Sequence, residues 1–345
     1  MTSTACVDLF CGVGGLTHGF VLENLNVVAG IDLDPACRYA FEINNNSKFL
    51  QRDIRELKGS ELDQLLANSE VKVLAGCAPC QPFSTYAQRY DSDGREGRWG
   101  LLYDFARLVK SASIDIVTME NVPSVEKHVV FQDFVKTLKR AGYEVWHEVV
   151  DSSKYGVPQT RRRMVLLASR LGPIQLIPPT TSAPKTVQRA IGNLLPIKAG
   201  ESDTKDRLHV SASLSNINLE RIKASKPGGT WRDWPEDLVA RCHKAPSGRT
   251  YSGVYGRMEW NRPAPTMTTQ CFGFGNGRFG HPDQDRAISL REAAILQSFP
   301  RYYKFLPNDE NISFSTLGRL IGNAVPVNLG RAIGRSIKLH IAQVQ

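Results

Sequence analysis

The chain is short of several things, and each shortage excludes something. Cysteine is sparse and scattered: Cys6, Cys11, Cys37, Cys77, Cys80, Cys242 and Cys271 are seven among 345 residues. An odd, unpatterned set does not make a disulfide framework and fits a reducing compartment. No apolar run approaches the ~20 residues that a membrane-spanning helix needs. The start, MTSTACVDLF, lacks the basic stretch and apolar run of a secretory signal. A cytoplasmic place is therefore expected, at the nucleoid if the partner is DNA. No GxxxxGK is present, which argues against a nucleoside triphosphate. Acidic residues are outnumbered, 34 against 43 basic ones, and the net charge of +9 favours a polyanionic partner.

What is present suffices for a globular protein. With 41% hydrophobic and 22% charged residues over this length, a full core can form, in two domains or one large one. Short β-branched runs alternate with amphipathic stretches. ACVDLF precedes a helix, VVAGID precedes a helix opened by Pro35 and reaching about Asn44, and FLQRDI precedes a helix from Gly59. VKVLAG, IDIVTME and a helix over Phe131–Ala141 follow. That rhythm predicts βα units and a parallel sheet covered on both faces. YEVWHEVV and RRRMVLLA, joined by the turn-like SSKYGVPQT, predict an antiparallel close to the sheet.

After Ser169 the texture changes. LGPIQLIPPTTSAP is proline-rich, and the stretch beyond it shows little periodicity, many Gly, Ser and Pro, and Trp231, Trp234 and Trp260. Between Arg170 and Asn261 there are 14 Lys or Arg against 8 Asp or Glu. Such loops suit an ordinary solvated surface, and they equally suit gripping phosphates and reaching base edges. Arginines and lysines between residues 185 and 257 are candidates for guanine contacts.

The first βα unit, VDLFCGVGGLTHGF, runs a strand into Gly12, Gly14 and Gly15, so the backbone can turn tightly and approach a ligand at a helix start. The dinucleotide fingerprint would place a third glycine where Thr17 stands. Asp32, ending the second strand, can accept from ribose hydroxyls, and Asp53, after the third, from an adenine amino group. These describe an adenosine site at strand carboxyl ends.

GCAPCQPFS follows the fourth strand and delivers Cys80. A zinc site would need further ligands at workable spacing, and Cys242 with His243 supplies no second pair. A redox pair would sit at the mouth of a helix early in its fold. A free cysteine is commonly a small buried hydrophobe. Its company raises Cys80 above that: MENVP sets Glu120 and Asn121 at the neighbouring strand end. A carboxylic acid, a thiol and an adenosine pocket together suggest covalent group transfer.

These residues carry a resemblance. The chain resembles the DNA cytosine-5 methyltransferases of the bacterial restriction-modification type. DLFCGVGG resembles the family's S-adenosyl-L-methionine motif, GCAPCQPFS its Pro-Cys motif, MENV its glutamate motif and QTRRRMVLL its paired-arginine motif. RPAPTMTT (262–269) and GRLIGNAVPVNLG (318–330) resemble its last two motifs, with REAAILQSFP between them. Six motifs stand in order over nearly the whole chain.

The resemblance implies an α/β fold: a Rossmann-like S-adenosylmethionine-dependent methyltransferase sheet with a second, smaller irregular target-recognition domain. It implies a catalytic domain over 1–170 plus 316–345, target recognition over 171–280 and a connecting region over 281–315. Cys80 is implied as the nucleophile toward cytosine C6, Glu120 as the group at N3, Arg163 at O2, and Arg161 as positioning the Cys80 loop or the substrate. Two arginines one residue apart on a strand share a face. Contacts to S-adenosyl-L-methionine are implied for Phe10, Gly12, Gly14, Gly15, Leu16, Asp32, Asp53, Pro79, Leu101 and Asn323, and no metal is needed. Position 33 is Leu where an aromatic often stacks on adenine, and Cys11 replaces the usual Ser or Ala.

The target base must leave the duplex stack, and YAQRYDSDGREGRWG (86–100) is expected as a lid over it. Double-stranded DNA is the expected partner of a monomer, with a cognate restriction endonuclease as functional companion. The alternative is the same chemistry on transfer RNA.

Overall fold

A computed structural model describes residues 3–79, 95–246 and 248–344, with 95–99 as backbone only. Among them, seven strands form one sheet in the order β3-β2-β1-β4-β5-β7-β6. The strands are β1 (Thr4–Leu9), β2 (Asn26–Asp32), β3 (Lys48–Gln51), β4 (Val71–Gly76), β5 (Ile116–Asn121), β6 (Glu144–Asp151) and β7 (Arg162–Ser169). The first five pair in parallel, and β7 runs antiparallel to both β5 and β6. The expected antiparallel close is therefore present.

The alternation of side chains along each strand builds two cores. In β1, Ala5, Val7 and Leu9 face one side, where Leu62 of α3 (Gly59–Leu65), Phe105 of α4 (Arg95–Ser111) and Phe134 of α5 (Val129–Arg140) cover them. Cys6 faces the other, with Phe20 of α1 (Gly15–Leu22) and Ile333 and Ile337 of α11 (Val327–Gln343). β7 divides likewise, Met164, Leu166 and Ala168 against Val165 and Leu167. Strands buried on both faces read as unbroken apolar runs, which is why these were legible. Each buried Val, Leu, Ile, Phe or Met among them contributes about 1.5–3 kcal/mol by leaving water.

Asp34 accepts from the Ala36 N–H, and Pro35 opens the turn leading into α2 (Arg38–Asn45). Helices α1 and α11 touch backbone to backbone: a Cβ on Gly19 would fall 2.5 Å from Arg331 N. Residues 95–100, expected in a loop, open α4 instead, and the rest of the expected lid lies outside the described residues, as does Cys80.

The chain divides into two compact units. The first comprises Met1–Tyr155, Arg162–Thr180 and Val325–Gln345, and the second Gly156–Arg161 and Thr181–Ala324. The final segment of the first unit thus resumes at Val325, where 316 was expected. The reason lies in α10 (Phe314–Asn323), whose Gly322 leaves no room for a side chain against Thr268 O, at 2.2 Å. The segment expected as a connector, 281–315, is an integral part of the second unit and includes α9 (Leu290–Leu296).

Apart from isolated bridges, the second unit has no strands among its described residues. It has the short helices α6 (Val187–Ile191), α7 (Asn216–Ala224) and α8 (Arg241–Lys244) besides α9 and α10. Without a sheet, its carbonyls need other donors. Arg257 supplies them, buried and reaching Ile222 O, Ser225 O, His281 O and Gln284 O at 2.6–3.1 Å. It is thereby removed from the candidates for guanine contact. Trp231 and Trp234, read as lying in loops suited equally to a solvated surface or to gripping phosphates, are buried and pack with Ile222 and Phe274 as a small core.

Candidate active site

In an open parallel sheet, a ligand crevice forms where strand order reverses, at the carboxyl ends of the strands. Here that point lies between β1 and β4, which pair directly while β2 and β5 lie outside them. The glycine-rich turn leaves β1 and the Pro-Cys loop leaves β4. Leu9 is level with Gly76, and Gly76 with Met119, so the turn, the loop and Glu120 start from one line.

The turn has an unusual backbone. Phe10, Gly12 and Gly14 have φ of 55°, 52° and 84°. A bulky residue in the left-handed region is a rare, costly conformation that is often kept at ligand sites. A Cβ built on Gly12 meets nothing within 4 Å, so the turn borders open space. Asp32 braces it: Oδ2 accepts from Gly12 N and Oδ1 from Asp34 N, both at 2.9 Å. Burial, opposed by those bonds, raises the Asp32 pKa. Gly15 starts α1, offering first-turn N–H groups. Leu16 is committed to the core, so only its backbone can meet a ligand. Leu33 is 60% exposed beside Asp32. Asp53 follows β3, where Arg55 Nε lies 3.0 and 2.9 Å from its two oxygens and holds the acid below its usual range. These features fit an adenosine-bearing cofactor.

Pro79 is exposed on the loop leaving β4, and Leu101 is half-buried on α4. Glu120 is the last residue but one of β5, its side chain 9% exposed, and Arg163 Nε stands 2.9 Å from Oε1. The register explains the pair: Glu120 faces Val165, so Arg163 is its diagonal neighbour on the same face. The Arg163 N–H is not aligned on that oxygen, and Oε1 accepts no hydrogen bond among the described residues. Cys77, the other half of the CxxC, is held as a thiol. Burial raises its pKa well above the usual value, and the charges of Glu120 and Asp8 add to the effect.

Arg161 and Asn323 belong to the second unit. Arg161 precedes β7 instead of sharing a strand face with Arg163, and its Nη1 donates to Met267 O at 3.1 Å. Asn323 is exposed at the end of α10.

Three further residues shape the site. Asn121, buried, donates through Nδ2 to Ala78 O at 3.1 Å and so ties β5 to the Pro-Cys loop. Asp8, 1% exposed, accepts from Thr17 Oγ1 at 2.6 Å. Thr17, read only as a break in the glycine fingerprint, is thus the partner of a buried acid. The signal available beforehand was a lone Asp inside an otherwise apolar strand.

A sheet of this order with β7 reversed, and an adenosine-type cradle at its switch point, is a Rossmann-like S-adenosylmethionine-dependent methyltransferase fold. A crystal structure of a candidate DNA modification methyltransferase encoded within an E. coli prophage superposes with a TM-score of 0.76 at 22% identity, covering 99% of this chain and 100% of that one. Type II methylase M.HgiDII of Herpetosiphon aurantiacus is 53% identical over 340 residues, 97% of this chain and 95% of the relative. Type II methyltransferase M.Sau96I of Staphylococcus aureus is 29% identical, covering 97% and 76%. Residues 4–339 match the C-5 cytosine-specific DNA methylase family, and the chain belongs to it as a DNA (cytosine-5) methyltransferase. None of its described helices is long and apolar enough to cross a membrane.

Proposed function

We propose that the chain methylates cytosine C5 within a specific short sequence of double-stranded DNA, using S-adenosyl-L-methionine and a covalent Cys80–C6 adduct on a flipped-out base. The observation that carries this reading is Glu120. Among the described residues its Oε1 is a buried acceptor without a hydrogen bond, beside Arg163, on the same line of strand ends from which the Cys80 loop departs.

When bound, the cofactor supplies an electrophilic methyl group carried on sulfur. Phe10, Gly12, Gly14, Gly15, Leu16 and Asp32 would hold it, with Asp53, Pro79, Leu101 and Asn323 around it. Cytosine C5 is too poor a nucleophile for that methyl until the ring is activated. Cys80 thiolate adds to C6, with Pro79 fixing its loop, and the negative charge spreads to N3 and O2. Glu120 hydrogen-bonds or protonates N3, and Arg163 binds O2. Arg161 positions the Cys80 loop or the substrate. Once C5 carries the methyl, its proton leaves to water, the C5–C6 double bond reforms and Cys80 departs as thiolate.

Flipping costs a few kcal/mol, roughly, which pocket and phosphate contacts offset. The second unit reads the target sequence. The enzyme works as a monomer at the nucleoid, and its Type II relatives suggest a cognate restriction endonuclease as functional companion.

The test is bisulfite sequencing of genomic DNA from a methylation-free host expressing the chain or its Cys80→Ser variant. Protected cytosines within one recurring short sequence, only with Cys80, are expected. Protection that survives Cys80→Ser would sink the covalent mechanism. Methyl transfer to purified transfer RNA but not to DNA would reassign the substrate.

A further inference from the structure

We propose that Gln159 and Gln297 are positioning residues that couple Arg161, on the cytosine side, to Asn323, on the cofactor side; this rests on the roles given above. Both glutamines are 0% exposed. A buried primary amide is costly unless its donors and acceptor are used, so their partners are informative.

Gln159 Nε2 spends both hydrogens, on Leu296 O at 2.8 Å and Gln297 Oε1 at 2.7 Å, and its Oε1 accepts from Met267 N at 3.0 Å. The backbone of Met267 is thus gripped on both sides, since its carbonyl accepts from Arg161 Nη1. On the other side, Gln297 Nε2 faces Ile321 O at 2.8 Å, Ala324 O at 3.1 Å and Gly322 O at 3.3 Å. The last-turn carbonyls of a helix have no partner within it. The Gln297 amide supplies one, and the helix it caps ends in Asn323. A continuous path within the second unit therefore runs from Arg161 through Met267, Gln159 and Gln297 to the end of α10.

The path has little slack. Gly322 sits so close to Thr268, next to Met267, that a single added Cβ would overlap the backbone. In close-packed, fully bonded surroundings a shift at one end is passed on. Only glutamine serves at 297: glutamate would turn a carboxylate toward three carbonyls, and methionine would fill the space without bonding.

The experiment compares wild type, Gln297→Met and the volume-conserving neighbour Leu296→Met by calorimetric titration with S-adenosyl-L-homocysteine, by thermal midpoint and by single-turnover methyl transfer. Gln297→Met is expected to bind the probe about tenfold more weakly than Leu296→Met when both are measured well below their midpoints. Arg161→Lys should slow transfer less in the Gln297→Met background than in wild type. Equal probe affinity in the two methionine variants, or losses that simply multiply, would overturn the coupling while leaving the function intact. A wild type that does not bind the probe would overturn both.

Discussion

The side-chain amide of Asn121 donates to the carbonyl of Ala78 across 3.1 Å, two residues before Cys80. Its own Oδ1 accepts from Val122 N at 2.8 Å, which fixes the side chain from both ends. The end of β5 therefore holds the base of the loop that carries Cys80, the proposed nucleophile. Asn121→Ala should slow single-turnover methyl transfer by about 10- to 100-fold through misplacement alone. Binding of S-adenosyl-L-homocysteine should stay at the wild-type level. Equal losses in both would mean that Asn121 merely supports the sheet.

The Glu120–Arg163 pair makes a different claim. Glu120→Gln keeps size and hydrogen-bonding capacity but cannot deliver a proton to N3, so turnover should drop by about 100- to 10,000-fold. The loss should appear with the thermal midpoint close to wild type, because the amide can still face Arg163. Turnover within a few-fold of wild type would remove Glu120 from the chemistry.

Asp8 predicts a pH dependence. Burial, chiefly, pushes its carboxyl up to about 7, with the Asp32 charge adding and the Thr17 bond opposing. A folded-state pKa above the ordinary 3.8 means that the fold favours the protonated acid. The stabilisation is complete below about 4 and fades as pH rises through about 7. His281 acts in the opposite sense over much of the same range. Burial pushes it down to about 4, so its contribution is present above 6.5 and fades as pH falls. Asp8→Asn should therefore remove a component of the thermal midpoint that falls by a few degrees, roughly, as pH rises from about 4 to about 7, and leave the slope above pH 7 unchanged. Unchanged slopes would show that Asp8 does not titrate there.

The first five strands and the glycine turn were legible because a strand buried on both faces reads as an unbroken apolar run ended by Gly, Pro or an acid. Glu120 and Asp32 were legible as acids at such ends. Arg163 could be named, but its pairing depends on antiparallel register between distant segments. The start of α4 was missed because three glycines in DGREGRWG outweigh helix propensity locally, whereas the packing of Leu102 and Phe105 sets the helix. The second unit was least legible. Its core rests on tryptophans and on Arg257 bonded to carbonyls, residue types that from sequence alone suggest a charged surface.

Leu33 allows the cofactor reading to be tested by gain instead of loss. It lies 60% exposed immediately after Asp32, where the crevice would receive an adenine ring. An aliphatic side chain gives that ring apolar contact, while an aromatic one adds stacking worth about 0.5–1.5 kcal/mol. Leu33→Phe should therefore tighten S-adenosyl-L-homocysteine binding about two- to tenfold by calorimetry. Its thermal midpoint should stay near wild type, because an exposed leucine contributes little to the core. If affinity is unchanged or weaker, the adenine does not lie on residue 33, and the adenosine site must be sought elsewhere along the β1–β2 edge.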